Sequence, residues 1–181
     1  MKKRFGKLDL FAIPLIGIAI ALDQITKFLA ASLRKSGPIT IIEGVFELQY
    51  LENRGAAFGI MQNRQWLFLI IGCMLIALIA VLYLRVPQTK CFLPLKICFI
   101  FIVAGAIGNM IDRTLLNYVV DFLYFSLIDF PIFNVADIYV TCATIALAIL
   151  ILFYYKEDEL DLILHMFVRK KKAGQESADG T

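Results

Sequence analysis

The sequence predicts an all-α integral membrane protein with four transmembrane helices, a small extracytoplasmic β-sheet region and both termini in the cytoplasm. Three observations carry this. Of the 181 residues 60% are hydrophobic, and the mean hydropathy is +0.79; a soluble domain is nearer to about half apolar. Four apolar runs are each long enough to cross a bilayer. Lysine and arginine gather in the segments that four crossings leave on one side. The formal net charge is only +3, and no basic stripe interleaved with aromatics points to nucleic acid.

The first helix is predicted over residues 10–33, "LFAIPLIGIAIALDQITKFLAASL", the second over 66–84, the third over 92–111 and the fourth over 132–155. At 1.5 Å per residue these are about 28 to 36 Å long, enough for a hydrocarbon layer of about 30 Å. Long runs without alternation exclude a β-barrel. Lys2, Lys3, Arg4 and Lys7 precede the first helix, Arg85, Lys90 and Lys96 mark the second connection, and Arg169, Lys170, Lys171 and Lys172 follow the fourth. The positive-inside rule makes that side cytoplasmic. The first apolar run is longer than the core of a signal peptide, so it is read as a retained helix. Residues 1–168 then form the membrane domain, with "LILHMFV" on the inner interface, and residues 169–181 a basic, disordered tail. In the outer loop, residues 34–65, Phe46, Leu48 and Tyr50 alternate with Glu47 and Gln49 at strand spacing. The low-bulk "GAAFG" that follows Asn53 and Arg54 lets backbone approach a peptide closely.

The chemistry open to this chain is narrow. Cys73, Cys91, Cys98 and Cys142 form no C-x-x-C pair, and the lone histidine, His165, lies near the tail. A Ser-His or Cys-His nucleophile and a His/Cys metal cluster are therefore unsupported, and no cofactor is expected. The segment "NYVVDFLYFSLIDFPIFNVAD" is almost wholly apolar yet holds Asp121, Asp129 and Asp137. Ionisable groups at membrane depth are functional by default. Asp23 lies about 20 Å along the first helix, beyond the midplane, with Lys27 one turn on. Asn109, Asp112 and Arg113 close the third helix, Asp137 opens the fourth, and Asn53 is in the outer loop. These groups converge on one outer layer. Two facing carboxylates share a proton there and can activate water against a peptide carbonyl. Asp129, before Phe130-Pro131, reads as a solvated loop residue. Asp112 reads as a cap or ion-pair member beside Arg113. Asp121 in "VVDF" and Asp137 in "FNVAD" remain as the dyad.

At these residues the chain resembles the lipoprotein signal peptidases, the bacterial signal peptidase II family. "DQITK" resembles the family's D-x-x-x-K segment, and "NRGAAFG" its N-x-G-A-A-[FW] loop. "AGAIGNMIDR" is similar to G-G-A-x-G-N-x-x-D-R, with Ala104 where the family more often has Gly. "VVDF" and "FNVAD" match its two aspartate motifs. The resemblance implies an intramembrane aspartyl endopeptidase that cuts prolipoproteins before a diacylglyceryl-modified cysteine, a globomycin target in the bacterial inner membrane with its site near the extracytoplasmic face. It implies Asp121 and Asp137 as the catalytic pair and Asn53, Gly55, Asn109, Asp112, Arg113 and Asn134 around them, braced by Asp23 and Lys27. Arg113 would hold a substrate carbonyl or lipid polar group. The partners would be diacylglyceryl-modified prolipoproteins and membrane lipids, and a monomer is expected.

Two other readings use the same residues. A small carrier or assembly subunit would bind a cation through Asp23, Asp121 and Asp137. Carriers show internal repeats and helices interrupted near the midplane, and this sequence has neither. A structural scaffold would use the polar layer only as interhelical hydrogen bonds.

Overall fold

The computed structural model describes residues 7–55 and 64–162. The expected inner-interface segment, the basic tail and most of the "GAAFG" stretch lie outside them. The elements are α1 (Lys7–Ala30), a single turn α2 (Leu33–Ser36), strands β1 (Ile39–Ile42) and β2 (Phe46–Asn53), α3 (Gln65–Arg85), α4 (Leu93–Leu116), β3 (Val119–Tyr124) and α5 (Val135–Ile149). A π-helical turn, Leu150–Tyr154, continues α5.

Four segments among the described residues are long and apolar enough to span a membrane: Asp9–Ser36, Gln65–Arg85, Lys90–Leu116 and Val135–Tyr154. They coincide with the four predicted runs, and their ends differ for local reasons. The third helix continues five residues past 111, so Asp112 and Arg113 are helical; it stops at Asn117, which takes the left-handed conformation at φ 63°. The fourth begins at Val135 rather than 132, because Asn134 caps it and Phe133 is tied to β3.

α4 is the axis of the bundle: α1, α3 and α5 all pack on it, and it alone is mostly buried. The others turn large apolar side chains outward, as a lipid environment permits. Close packing on α4 depends on small residues. A Cβ added at Gly105 would sit 2.5 Å from the Ala136 carbonyl oxygen, and one at Gly108 2.6 Å from Asp23 Oδ2. The Ala136 carbonyl cannot yield without moving α5, and Asp23 Oδ2 cannot without loosening its contacts to Lys27 and Gln24. Gly108→Ala is therefore expected to cost about 1–3 kcal/mol as an overpacked contact, read as a lower melting temperature in detergent. Gly17→Ala, which meets nothing within 4 Å, is the control.

Contacts of Asp9 with Tyr83 and Lys96, and of Glu159 with Cys91, bring both described ends of the chain to one end of the bundle. At that end Lys96, counted above among the topogenic charges, is only 2% exposed. Its Nζ lies 3.1 Å from Asp9 Oδ1, which also accepts the Tyr83 hydroxyl at 2.8 Å. This clamp joins α1, α3 and α4, and leaves Arg85 and Lys90 as the basic residues of that connection.

At the opposite end stands a three-stranded antiparallel sheet in the order β1-β2-β3. β2 is the alternating segment of the sequence. β3, read from the sequence as plain connection, is a strand that carries Asp121.

Candidate active site

The strand register explains how Asp121 meets Asn53. Asn53 pairs with Val119, and Leu51 with Asp121. Residues two apart share a face, so Asn53 and Asp121 are diagonal neighbours on that face, within side-chain reach. Asn53 Nδ2 donates to Asp121 Oδ2 at 2.8 Å, while its Oδ1 accepts the Gly55 amide at 3.0 Å.

The far edge of β3 delivers the second aspartate. The amides of Phe122 and Leu123 both donate to the Phe133 carbonyl, which brings the next residue, Asn134, beside Asp121. Asn134 is fully buried and caps α5 in a reciprocal box: its Oδ1 accepts the Asp137 amide at 3.0 Å, and Asp137 Oδ2 accepts the Asn134 amide at 3.1 Å. The same Asn134 donates from Nδ2 to Asp121 Oδ1 at 2.6 Å and to Asn109 Oδ1 at 3.1 Å. Asn109 Nδ2 in turn donates to Asp137 Oδ1 at 2.7 Å. Two amide side chains thus link the carboxyls and fix their rotamers.

Burial, then the neighbouring Asp137 charge, push the Asp121 carboxyl up to about 7; hydrogen bonds from Asn53 and Asn134 and the Lys27 charge oppose the rise. A carboxyl poised near neutrality can hold or yield a proton under ordinary conditions.

Asn53, Gly55, Asn109, Arg113, Asp121 and Asp137 face a cavity of about 790 Å³, whose wall continues down α5 through Ile138, Thr141 and Cys142. Arg113 lies above Phe68 at 4.8 Å and donates to the carbonyls of Asn109 at 3.3 Å and Gly55 at 3.5 Å. Its Nε is buried without a partner among the described residues.

Behind the cavity, Lys27 Nζ lies 2.9 Å from Asp23 Oδ2, 3.0 Å from Asp112 Oδ2 and 2.9 Å from Asn109 Oδ1. Asp112 therefore pairs with Lys27 across helices rather than with its sequence neighbour Arg113. Asp23 Oδ1 accepts the Ala136 amide at 2.9 Å, and Asp112 Oδ2 the Val120 amide at 3.1 Å. The cluster ties α1 and α4 to the first turn of α5 and to β3, the two segments that carry Asp137 and Asp121. Gln24, which the sequence reading passed over, donates to Asp23, Asp112 and the Gly108 carbonyl. Its place beside Asp23 on the outward half of α1 was the signal. Asp129 stands apart, left-handed at φ 48° and bonded to the Tyr124 hydroxyl at 2.7 Å.

Known proteins share this arrangement of elements. Residues 15–153 match the family described as Signal peptidase (SPase) II. The lipoprotein signal peptidase of Clostridioides difficile (strain 630) is 42% identical over 141 residues, 77% of this chain and 93% of that protein. That of Clostridium tetani (strain Massachusetts / E88) is 45% identical over 148 residues, 80% of this chain and 92% of the relative. A solved structure described as a bacterial membrane enzyme, obtained by the in meso method at 2.3 Å resolution, is 28% identical with a TM-score of 0.68, covering 81% of this chain and 92% of that one. A second, at 1.9 Å resolution, is 29% identical with the same TM-score of 0.68, covering 80% and 94%.

Proposed function

The chain belongs to the signal peptidase II family, multi-pass bacterial membrane peptidases, and from that premise we propose that it cuts prolipoproteins by aspartyl catalysis, with Asp121 and Asp137 as the dyad. The supporting observation is the linkage of the two carboxyls through Asn134 and Asn109 at the wall of one cavity. Near neutral pH such a pair holds one proton between two carboxyl groups. The ionised member takes a proton from water as that water attacks the scissile carbonyl. The protonated member donates to the carbonyl oxygen, giving a tetrahedral gem-diol. Collapse breaks the C–N bond, and the proton returns to the leaving amine. No covalent intermediate forms.

The substrate is a precursor whose cysteine carries a diacylglyceryl group, cut on the N-terminal side of that cysteine. Its acyl chains lie along the apolar wall of α5 below Asp137. Arg113, always charged, holds a carbonyl or a lipid polar oxygen at the cavity wall. The sheet faces the extracytoplasmic side, with Arg85 and Lys90 inside. The cation-carrier reading fares worse, because Asp23 is bonded to Lys27 and to the Ala136 amide and is not part of the cavity wall.

Purified protein in lipid vesicles is expected to convert a diacylglyceryl-modified precursor to a product that begins at the modified cysteine, read by mass spectrometry. A precursor left intact under these conditions would refute the proposal.

The raised Asp121 carboxyl sets the pH dependence. Its proton leaves as pH rises through about 7, so kcat/KM is expected to fall above that point, as the acid is lost. Stability runs the same way. Between the ordinary value of 3.8 and about 7, the folded protein keeps a proton that the unfolded chain has released. This contribution is full below the lower value and is lost as pH climbs to the higher one. Melting temperature in detergent, measured across that window for wild type and Asp121→Asn, checks the sign: the variant lacks this component of the slope.

A further inference from the structure

The wall of the cavity below the dyad carries a hydroxyl that neither the fold nor the mechanism uses. Thr141 follows Asp137 by four residues on α5, so the two side chains share a face, about 6 Å apart along the axis. Both line the cavity, with Ile138 and Cys142 beside them. Among the described residues on that wall, Thr141 alone bears a hydroxyl.

Threonines inside helices commonly donate to their own backbone, three or four residues back. Thr26 donates to the Asp23 carbonyl at 2.8 Å, and Thr114 to that of Met110 at 2.8 Å. Thr141 makes no such bond, and its Oγ1 has no hydrogen-bond partner among the described residues. It lies within the span Val135–Tyr154, at a depth where an unbonded polar group is costly. The hydroxyl holds nothing in the bundle together. Its acceptor must arrive from outside.

The chemistry of the substrate limits what arrives. In the peptidase reading the lipid chains run along this wall, and the polar group of an acyl chain is the ester that joins it to glycerol. Its carbonyl oxygen accepts hydrogen bonds and donates none. From the cysteine Cα, which is bonded to the scissile nitrogen, the nearer ester carbonyl is about six bonds away, a reach of about 6–8 Å. Thr141 lies at a similar distance below Asp137. An ester drawn from the bilayer surface to that depth gives up water, and a donor on the wall offsets the loss.

We propose that Thr141 is a specificity residue for ester-linked lipid, its Oγ1 donating to an ester carbonyl of the diacylglyceryl group. This rests on the peptidase reading above and refines it. The bond is made before and during reaction alike, so its loss is felt in KM rather than kcat.

The test uses two precursors of one sequence: the diacylglyceryl form and a dialkylglyceryl form, whose ether links lack the carbonyls. Wild-type protein in lipid vesicles is expected to cut the ester form with kcat/KM about 3- to 10-fold above the ether form, the range of one neutral hydrogen bond. Thr141→Val keeps the shape without the hydroxyl, and should cut both forms at the wild-type rate for the ether form. It should melt like wild type, because the hydroxyl bonds to nothing in the fold. Thr141→Ser should restore the preference. Thr144 is exposed and not part of the cavity wall, so Thr144→Val should leave the preference intact. Equal cutting of the two precursors by wild type, or a preference that survives in Thr141→Val, overturns the inference. So does a loss of the same size for both precursors in Thr141→Val, which would assign the hydroxyl to a peptide group. Should Thr141→Val fail to fold, Thr141→Ala takes its place. Failure of wild type to cut either precursor would instead refute the peptidase reading, so the two failures are distinct.

Discussion

Asp121→Asn and Asp137→Asn proteins are each expected to cut the lipidated precursor about 10²- to 10⁴-fold more slowly than wild type, the range in which acid–base groups contribute. An asparagine can neither take the proton of the attacking water nor donate one as an acid does. The double variant should be scarcely slower than either single one, because the two carboxyls act as a unit and their losses do not add. Folding must be measured beside activity. Both oxygens of Asp121 accept amide N–H bonds, from Asn53 and Asn134. An asparagine there sets one of its own N–H groups against a donor, at about 1–3 kcal/mol, offset by release from burying a charge. A melting temperature near that of wild type with cleavage lost assigns the defect to chemistry. Full cleavage rate in either single variant removes the dyad from the mechanism.

The legibility of this arrangement in the sequence varied with the range of the interaction. The four spans are local averages of hydropathy, so their positions needed no contacts. The strand β2 announced itself by alternation. β3 did not, because a strand of "VVDFLY", with its first four residues buried, has no polar alternation; its β-branched and aromatic content was the readable sign. The same gap hid the reason Asp121 and Asn53 meet, which is a diagonal in a sheet. For Asn134 the sign was local: an Asn three residues before an Asp opens a capping box, and "NVAD" holds one. Depth along the helices puts Asp23, Lys27 and Asp112 in one layer without distinguishing cavity wall from support. That division depends on which way each helix is rotated about α4. Lys96 misled for a related reason, since a lysine near a helix start counts as solvated charge unless an acid elsewhere, here Asp9, is known to meet it.

Lys27→Met is expected to have the largest effect on folding. Lys27 is 3% exposed and Asp23 fully buried, with Asp112 at 3%. One ammonium within 3.0 Å of both carboxylates is the cation that holds them in this interior. Removing one member of a buried ion pair costs about 3–5 kcal/mol, because the partner stays charged without compensation; here two partners are stranded. The loss should appear as a sharply lower melting temperature and as protease sensitivity. Methionine fills similar space, so the cause is charge and not a void. Two companions separate this from a general dislike of substitution. Lys27→Arg keeps the charge but brings a planar fork where a compact ammonium meets three acceptors, and should fall between wild type and Lys27→Met. The triple exchange Asp23→Asn, Lys27→Met, Asp112→Asn removes every charge at once, and should recover stability over Lys27→Met alone. The Lys27 charge is among the influences that hold the Asp121 carboxyl down against burial and Asp137, so in Lys27→Met the fall of kcat/KM at high pH is expected to move upward. A Lys27→Met protein that melts like wild type would show that α1 is held by its apolar face alone, and that the Asp23–Lys27–Asp112 cluster does not brace the site.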